Sequence, residues 1–248
     1  GRAAGRALWL RYRLIAAELA VLGIDGNCAP VADIAGPRTH PFLRNRCYAT
    51  TAAAVAARAR AVADGLLAGG VLPVVKHIPG HGRARTDSHV NLPRVAAGAA
   101  ALRATDFAPF AALADLPMAM TAHVVYRALD PARPATTSPR VIGLIRREIG
   151  FDGLLMTDDL SMNALQGPVG GRTRAALAAG CDIALHCNGD LAEMRAVAEA
   201  AGGLDGLALR RADAALAMRR AADPVDTAAL EAELDGLTGG QEADGAGR

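Results

Sequence analysis

Residues 71–82, VLPVVKHIPGHG, decide the fold because an apolar run passes directly into a polar, glycine-rich loop. A short, continuous apolar run bounded by turn residues is typical of a strand that is buried on both faces, as in a parallel sheet. Lys76 and His77 come at the end of this run, and a proline and two glycines then turn the chain. The stretch therefore predicts a buried strand whose carboxyl end carries functional side chains.

The same arrangement of an apolar run, a polar end and a helical segment repeats along the chain. Five runs predict strands, at residues 27–34, 72–78, 118–124, 153–159 and 182–187. Each of them ends in polar residues: Asp33, Lys76 with His77, His123, Asp158 with Asp159, and His186 with Asn188. Strands that alternate with helices form a parallel sheet, and ligands of such folds bind at the carboxyl ends of the strands. The sequence therefore predicts an α/β fold in which these polar residues converge on one site.

Helical periodicity defines the segments between the strands. A helix over residues 2–22, ended by Gly23, is predicted to bury one face formed by Leu8, Ile15, Leu19 and Leu22. Further helices are predicted over residues 51–68, 101–116, 139–149, 172–179, 191–201, 207–221 and 226–236. Ser138, which is followed by a proline, is the expected N-cap of the helix over residues 139–149. We expect one domain over residues 1–237 and a disordered, glycine-rich tail over residues 238–248.

The composition favours a soluble α/β protein that binds a small molecule. Hydrophobic residues make up 52% of the chain but aromatic residues only 3%, so alanine, leucine and valine must fill the core. The 27 basic and 25 acidic residues form no long blocks, so nothing indicates binding to nucleic acid or anionic lipid. No apolar run approaches the ~20 residues of a membrane span. The 4 scattered cysteines suit a reducing compartment, and we expect a cytoplasmic protein.

The end of the strand at residues 72–78 and the loop after it together carry three of the six histidines of the chain. In KHIPGHGRARTDSH, residues 76–89, Lys76 and His77 lie at the strand end, where they can hydrogen-bond sugar hydroxyls or an anionic group. Asp87 and His89 are two residues apart, so in an extended segment their side chains point the same way. A neighbouring carboxylate raises the pKa of an imidazole and makes it a proton donor and acceptor near neutral pH. The alternative is an ordinary surface turn, and His81 is expected to support the conformation of the loop.

A second polar motif, MTDDLSM at residues 156–162, ends the strand predicted at residues 153–159. Neighbouring residues of a strand face opposite ways, so at most one of Asp158 and Asp159 points straight into the mouth of the fold. A carboxylate there can act as a nucleophile, a base or a metal ligand, while the other caps the next turn. A plain N-cap pair is the alternative.

Several stretches together resemble the family 3 glycoside hydrolases, and specifically their bacterial β-N-acetylglucosaminidase branch, which removes N-acetylglucosamine from muropeptides during cell-wall recycling. The matching stretches occur in one order between about residue 10 and about residue 220: CAPVADI, RNRCY, KHIPGHGRARTDSH, MTAHVVY, GFDGLLMTDDLSM and AGCDIALHCN. The resemblance implies a (β/α)8 TIM-type barrel and a retaining mechanism through a covalent glycosyl-enzyme. It also implies a small carbohydrate substrate without a cofactor, and we expect a monomer.

The resemblance also assigns roles to individual residues. Asp158, the first aspartate of TDDL, corresponds to the nucleophile, and His89 corresponds to the acid/base with Asp87 as its partner. The residues that correspond to the sugar-binding positions of the family are Arg46 of RNRCY, Lys76 and His77. In this mechanism the carboxylate attacks the anomeric carbon while the imidazole protonates the departing oxygen, and the imidazole then activates water.

Two departures from the family pattern affect the expected site. Asn45 stands where the family has an acidic residue before the arginine of RNRCY, which weakens an expected loop contact near the sugar. The family's first strands, with a sugar-binding segment rich in glutamine, glutamate and glycine, have no counterpart in the sequence. We therefore expect a TIM-type barrel that lacks its first strands and has an incomplete sugar pocket. A truncated, non-catalytic sugar-binding protein of the same fold is the alternative function.

A metal-dependent hydrolase is a third hypothesis. Its ligands would be drawn from His77, His81, His89 and Asp158. The sequence contains no HxH or HExxH spacing, so we favour a site without a metal.

Overall fold

The structure is a computed structural model that describes residues 2–88 and 90–239. Its helices are α1 Arg2–Val21, α2 Pro41–Arg44, α3 Ala52–Ala68, α4 Ala99–Ala104, α5 Ala108–Ala111, α6 Pro139–Leu144, α7 Val169–Ala179, α8 Leu191–Ala201, α9 Gly206–Ala217 and α10 Thr227–Thr238. Its strands are β1 Gly26–Asn27, β2 Leu72–Ile78, β3 Arg94–Val95, β4 Met118–Thr121, β5 Val125–Tyr126 and β6 Leu154–Met156. A π-helical turn, Ile145–Ile149, continues α6. Strands therefore alternate with helices, which confirms the predicted α/β class.

The strands β1, β2, β4 and β6 lie side by side in that order, and every pair is parallel. Isolated bridges extend the sheet at both ends, from Val31 to Lys76 and from Met156 to Ile183. The carboxyl ends of these strands therefore meet at one edge of the sheet, as the sequence analysis predicts.

The first and last predicted strands pair over fewer residues than expected. The ladder between β1 and β2 covers Gly26–Asn27. Beyond it Pro30 has no N–H to donate, and the pairing continues irregularly, with the N–H of Lys76 donating to the Pro30 carbonyl at 2.9 Å and the N–H of Ala32 to the Lys76 carbonyl at 2.7 Å. At residues 182–187 one bridge forms, at Ile183, and the carbonyl of Leu185 accepts the N–H of Leu160 at 2.9 Å. The N–H of Leu185 donates to the hydroxyl of Thr157 at 2.9 Å. A side-chain oxygen there replaces the backbone acceptor that a regular ladder would use.

Most predicted helices form, but two predictions need correction. The helix predicted over residues 101–116 is divided into α4 and α5, because Pro109 removes an N–H and its ring clashes with the preceding turn. Helix α1 ends before Gly23 as predicted, yet Leu22 is 74% exposed and the face buried by α1 is centred on Leu10 and Arg13. The side chain of Ser138 accepts the N–H of Val141, so the predicted N-cap is confirmed. Among the residues described, no helix combines the length and apolarity needed to cross a membrane.

The two faces of the sheet are covered by different helices. Val75 and Leu155 belong to the larger core, which the sheet forms with α3, α5 and α6. Val74 and Leu154 point to the opposite face and pack with Ala212 of α9. Helix α9 therefore covers the face of the sheet that the other helices leave open.

A buried carboxylate ties α9 to the amino ends of the strands. Asp182 is 7% exposed and accepts hydrogen bonds from Arg146 at 2.6 Å, from the N–H of Leu155 at 2.9 Å and from Arg211 of α9 at 3.1 Å. The same arginine of α9 also pairs at 2.7 Å with Asp152, whose side chain is 85% exposed. The network fixes α9 at the end of the sheet opposite the predicted site.

The segment after α9 joins the two ends of the described chain. Arg219 pairs with Asp25, just before β1, at 2.6 Å, and the buried side chain of Arg13 donates to the carbonyl of Asp223. Helix α10 then packs on α1, where Arg6 pairs with Glu233 at 2.6 Å. Residues 240–248, which contain most of the tail predicted to be disordered, lie outside the described residues.

Candidate active site

A cavity of about 240 Å³ lies at the carboxyl ends of the parallel strands. Its walls are formed by Phe42, Arg46, Lys76, His77, His81, Ser88, Asp158, Asp159, Met162 and Cys187. The structure thus brings together four of the predicted site residues, Arg46, Lys76, His77 and Asp158, from three separate loops and strand ends. The predicted acid/base His89 lies outside the described residues, but its neighbour Ser88 lines this cavity.

Asp158 follows β6 and presents a largely buried carboxylate to the cavity. Its side chain is 17% exposed, one oxygen accepts the N–H of Asp159 at 2.8 Å, and the other lies 4.0 Å from Nε2 of His77. Burial alone would raise the pKa of this carboxyl, but the attraction of His77 and His123 and the Asp159 N–H outweigh it. The pKa of Asp158 therefore lies below its ordinary value, and the group is an anion poised beside the cavity.

Asp33 connects the end of the first strand segment to the end of β2. This carboxylate is fully buried, and one oxygen lies 2.7 Å from Nδ1 of His77 while the other accepts the N–H of His81 at 2.6 Å. Burial opposes ionisation, but the charge and hydrogen bond of His77 and the contacts of His81 hold the pKa of Asp33 below its usual range. The side chain of His77 is therefore held between two acidic groups, Asp33 and Asp158.

His81 supports the loop after β2, as predicted for this residue. Its ring is buried, and Nε2 lies 3.4 Å from the hydroxyl of Ser88, whose carbonyl accepts the N–H of Ala164 at 3.2 Å. Gly82 permits this packing, because a Cβ there would overlap the carbonyl oxygen of Ile34. The loop is thereby fixed at Ser88 against both β2 and the segment that follows β6.

Asp87 lies in this loop one residue before Ser88. Its carbonyl accepts the N–H groups of Val90 at 3.1 Å and Asn91 at 2.9 Å, which holds these two residues close to Asp87. The predicted pairing of Asp87 with His89 involves a residue outside the described ranges and stays a prediction.

The guanidinium of Arg46 and the ring of Phe42 form one wall of the cavity. The central carbon of the Arg46 guanidinium lies 4.2 Å from the centre of the Phe42 ring, within the range of a cation–π contact. Nε of Arg46 is buried and has no hydrogen-bond partner among the residues described. Arg46 therefore lines the cavity with a side chain whose buried Nε no described residue accepts from.

Asp159 caps the turn after β6. Its carboxylate accepts the N–H of Ser161 at 2.9 Å, the Ser161 hydroxyl at 2.5 Å and the N–H of Cys187 at 3.1 Å. The buried ring of His123 lies with Nε2 3.0 Å from the Asp159 carbonyl and Nδ1 2.7 Å from the hydroxyl of Thr136. Burial lowers the pKa of His123, which favours the neutral ring that donates from Nε2 to this carbonyl. The turn that carries Asp158 is therefore rigidly held.

Sequence reasoning placed Asp33 and His123 among the strand-end residues expected to converge on one site but gave neither a role there. It did not identify Phe42, Met162 or Cys187, which line the cavity. The sequence position of Asp33 could have indicated a role in the site, because a lone carboxylate at the end of an apolar run requires a partner when it is buried. Nothing in the sequence distinguishes the other residues, since apolar side chains and a lone thiol look like ordinary packing residues. Within residues 2–88 and 90–239, no three side chains of His, Cys, Asp and Glu are grouped so that they could hold a metal ion.

Parallel strands flanked by helices, with polar side chains gathered at the carboxyl ends of the strands, define the class of TIM-barrel-type α/β proteins. Within this class the chain belongs to glycosyl hydrolase family 3. The sequence model of that family's N-terminal domain matches residues 12–220.

Individual relatives agree with this family assignment. A β-hexosaminidase of Alkalilimnicola ehrlichii is 43% identical over 180 residues, which are 71% of this chain and 51% of that protein. The chain therefore spans about half the length of this relative.

Solved structures of the family resemble the whole described fold. A family 3 β-N-acetylglucosaminidase of Paenibacillus sp. superposes with a TM-score of 0.75 and 31% identity over 99% of this chain and 47% of that one. NagZ of Neisseria gonorrhoeae in complex with N-trifluoroacetyl-D-glucosamine superposes with a TM-score of 0.80 and 32% identity, over 95% of this chain and 70% of that one.

Proposed function

We propose that the chain carries the catalytic face of a retaining glycoside hydrolase that releases terminal β-linked N-acetylglucosamine. The observation that carries the proposal is that Asp158 and Ser88, the residue before His89, line the same cavity. A retaining glycosidase needs a nucleophile and a proton donor at the two sides of one glycosidic bond. The names of the relatives described above support the same activity.

In the proposed mechanism Asp158 and His89 act in two steps. A carboxylate oxygen of Asp158 forms a bond to the anomeric carbon while the bond between that carbon and the departing oxygen breaks. The departing oxygen takes a proton from His89. His89 then removes a proton from water, which attacks the anomeric carbon and frees Asp158. Asp87 holds the imidazole in the orientation that both steps require. The lowered pKa of Asp158 supports its part, since a nucleophile must be ionised at neutral pH.

Arg46, Lys76 and His77 are proposed to bind the sugar. All three line the cavity and carry hydrogen-bond donors for sugar oxygens. The cavity of about 240 Å³ is smaller than the pockets of drug-sized ligands, about 300–1,000 Å³, so it suits a single sugar ring. The natural substrate is proposed to be an N-acetylglucosaminyl muropeptide, hydrolysed in the cytoplasm by a monomer during peptidoglycan recycling.

Replacement of Asp158 tests the proposal. Asp158→Asn removes the nucleophile, so hydrolysis of p-nitrophenyl N-acetyl-β-glucosaminide is expected to fall at least about 10⁴-fold, as when other covalent catalysts are removed. Asp152→Asn is the matched control, because Asp152 precedes β6 and its side chain is 85% exposed at the opposite end of that strand. Equal activity of the two variants would contradict the role of Asp158.

A non-catalytic sugar-binding protein is the second candidate function. It is favoured by the observation that the match to the Alkalilimnicola relative covers only 51% of that protein. The wild-type protein would then bind N-acetylglucosamine in calorimetry but release no p-nitrophenol. Turnover that is lost in Asp158→Asn would exclude this candidate.

A further inference from the structure

The carboxylate of Asp33 binds the end of β2 and the loop after it through both of its oxygens. Oδ2 lies 2.7 Å from Nδ1 of His77, and Oδ1 accepts the N–H of His81 at 2.6 Å. The side chain has no exposed surface, so water does not compete for either bond. Asp33 therefore fixes both the His77 ring and the backbone of the loop that follows it.

The bond to Asp33 determines which nitrogen of His77 faces the cavity. An ionised carboxylate can only accept hydrogen bonds, so Nδ1 must carry a proton. Nε2 is then the nitrogen left for the cavity, and it lies 4.0 Å from Oδ2 of Asp158. The lowered pKa of Asp33 agrees with an ionised carboxylate at this position.

We propose that Asp33 is a positioning residue that keeps a proton on Nδ1 of His77 and so presents Nε2 to the sugar beside Asp158. The proposal rests on the proposed function for its effect on catalysis. Its structural part is that the fixed Asp33 carboxylate keeps a proton on Nδ1 of His77, and this can be measured without any turnover. Carboxylates that orient a functional imidazole in other sites typically contribute about 10- to 100-fold to activity.

Nitrogen-15 NMR of histidine-labelled protein tests the structural part. The signals of His77 are assigned by their loss in His77→Asn, and in the wild type they are expected to show a protonated Nδ1. In Asp33→Asn, the single amide oxygen can replace only one of the two carboxylate oxygens, so the amide NH2 faces either the His77 ring or the N–H of His81. Loss of the fixed proton on Nδ1 of His77 is therefore expected, together with a fall in kcat/KM of about 10- to 100-fold.

Asp182→Asn is the matched control, because Asp182 is also a buried, hydrogen-bonded carboxylate but lies at the opposite end of the sheet. It is expected to lower stability without changing the His77 signals. An equal change of those signals in both variants, or none in Asp33→Asn, would overturn the proposal.

Two further results separate this proposal from the proposed function. Wild-type protein in which His77 carries its proton on Nε2 alone would refute the positioning role even if Asp33→Asn did not fold. Wild-type protein with a protonated Nδ1 but no glycosidase activity would leave the positioning of His77 supported and refute the proposed function.

Discussion

His81 is a buried imidazole whose neutral state the folded protein requires. Burial is the main reason why its pKa falls from 6.5 to about 4, and the neighbouring His77 lowers it further. The unfolded chain therefore takes up a proton at this residue between about pH 6.5 and pH 4, whereas the folded protein does not. The free energy of unfolding should fall over this window as the pH decreases, by roughly 3 kcal/mol at most from His81.

The variant His81→Gln should weaken this pH dependence. Glutamine does not titrate, so the difference in unfolding free energy between wild type and variant should shrink as the pH falls from 7 to 4. Urea denaturation at a series of pH values measures both proteins, and the values above pH 7 give the baseline. Two curves that run parallel throughout would show that His81 is not the responsible group.

His89→Ala should affect substrates according to their leaving groups. If His89 protonates the departing oxygen, a natural disaccharide should lose about 10²- to 10⁴-fold in rate. A p-nitrophenyl glycoside should lose less, because nitrophenolate departs without a proton. Steady-state rates on both substrates give the comparison, and equal losses would argue against His89 as the acid.

The residues of the site could be predicted only in part from the sequence. Lys76, His77 and Asp158 could be identified from the sequence because they end apolar runs, and the strand ends of a parallel sheet share one edge. The bond between Asp33 and His77 could not be predicted, because it depends on how two strands are aligned whose residues are 44 apart in the sequence. The roles of the predicted residues stay proposals until the variants are measured.

At the scale of elements, α1 and α3 pack so closely that a glycine is required between them. A Cβ on Gly65 would lie 2.5 Å from the carbonyl oxygen of Trp9, whereas one on Gly5 would meet nothing within 4 Å. Gly65→Ala should therefore lose about 1–3 kcal/mol of stability through overpacking. Gly5→Ala, also in a helix, should instead gain roughly 0.5–1 kcal/mol.

Chemical denaturation of both glycine variants provides the measurement. The two substitutions add the same methyl group and give the same gain in helix propensity, so their difference isolates the contact between the helices. Equal stabilities would mean that α1 can move away from α3 at little cost.

Helix ends could be predicted from the sequence where a single capping residue or glycine determines them. Ser138 and Gly23 marked helix ends correctly, because capping and left-handed backbone are properties of single residues. Pro109 was present in the predicted helix and divides it, so apolar periodicity was given too much weight there. The two-residue pairing of β3 with β5 leaves no periodic pattern, and the sequence could not reveal it.

At the scale of the whole molecule, Asp182 connects the sheet to α9. Asp182→Ala would leave the guanidinium groups of Arg146 and Arg211 without their buried partner, and a loss of about 3–5 kcal/mol is expected. Asp152→Ala removes an exposed partner of the same Arg211 and should cost less than about 1 kcal/mol. Thermal unfolding of the two variants compares these losses, and similar melting temperatures would show that the Asp182 network contributes little to stability.

The overall class was predictable from the sequence, but the path of its last third was not. Alternation of strands and helices is a repeated signal, and it led to the parallel sheet. That α9 packs on the free face of the sheet depends on Ala212 and Ala215, whose small side chains give no helical stripe to distinguish them. The partnership of Arg13 with the carbonyl of Asp223 spans 210 residues and has no local signature.

The packing of α10 on α1 has a consequence for how the protein is made. Arg6 of α1 is synthesised 227 residues before its partner Glu233 of α10, so the side of α1 that faces α10 has no partner until that later helix has left the ribosome. Until then the side of α1 that α10 covers is exposed on the nascent chain, and chaperones can recognise it. Pulse-labelled nascent chains stopped before residue 227 should therefore be digested by protease faster at α1 than released chains.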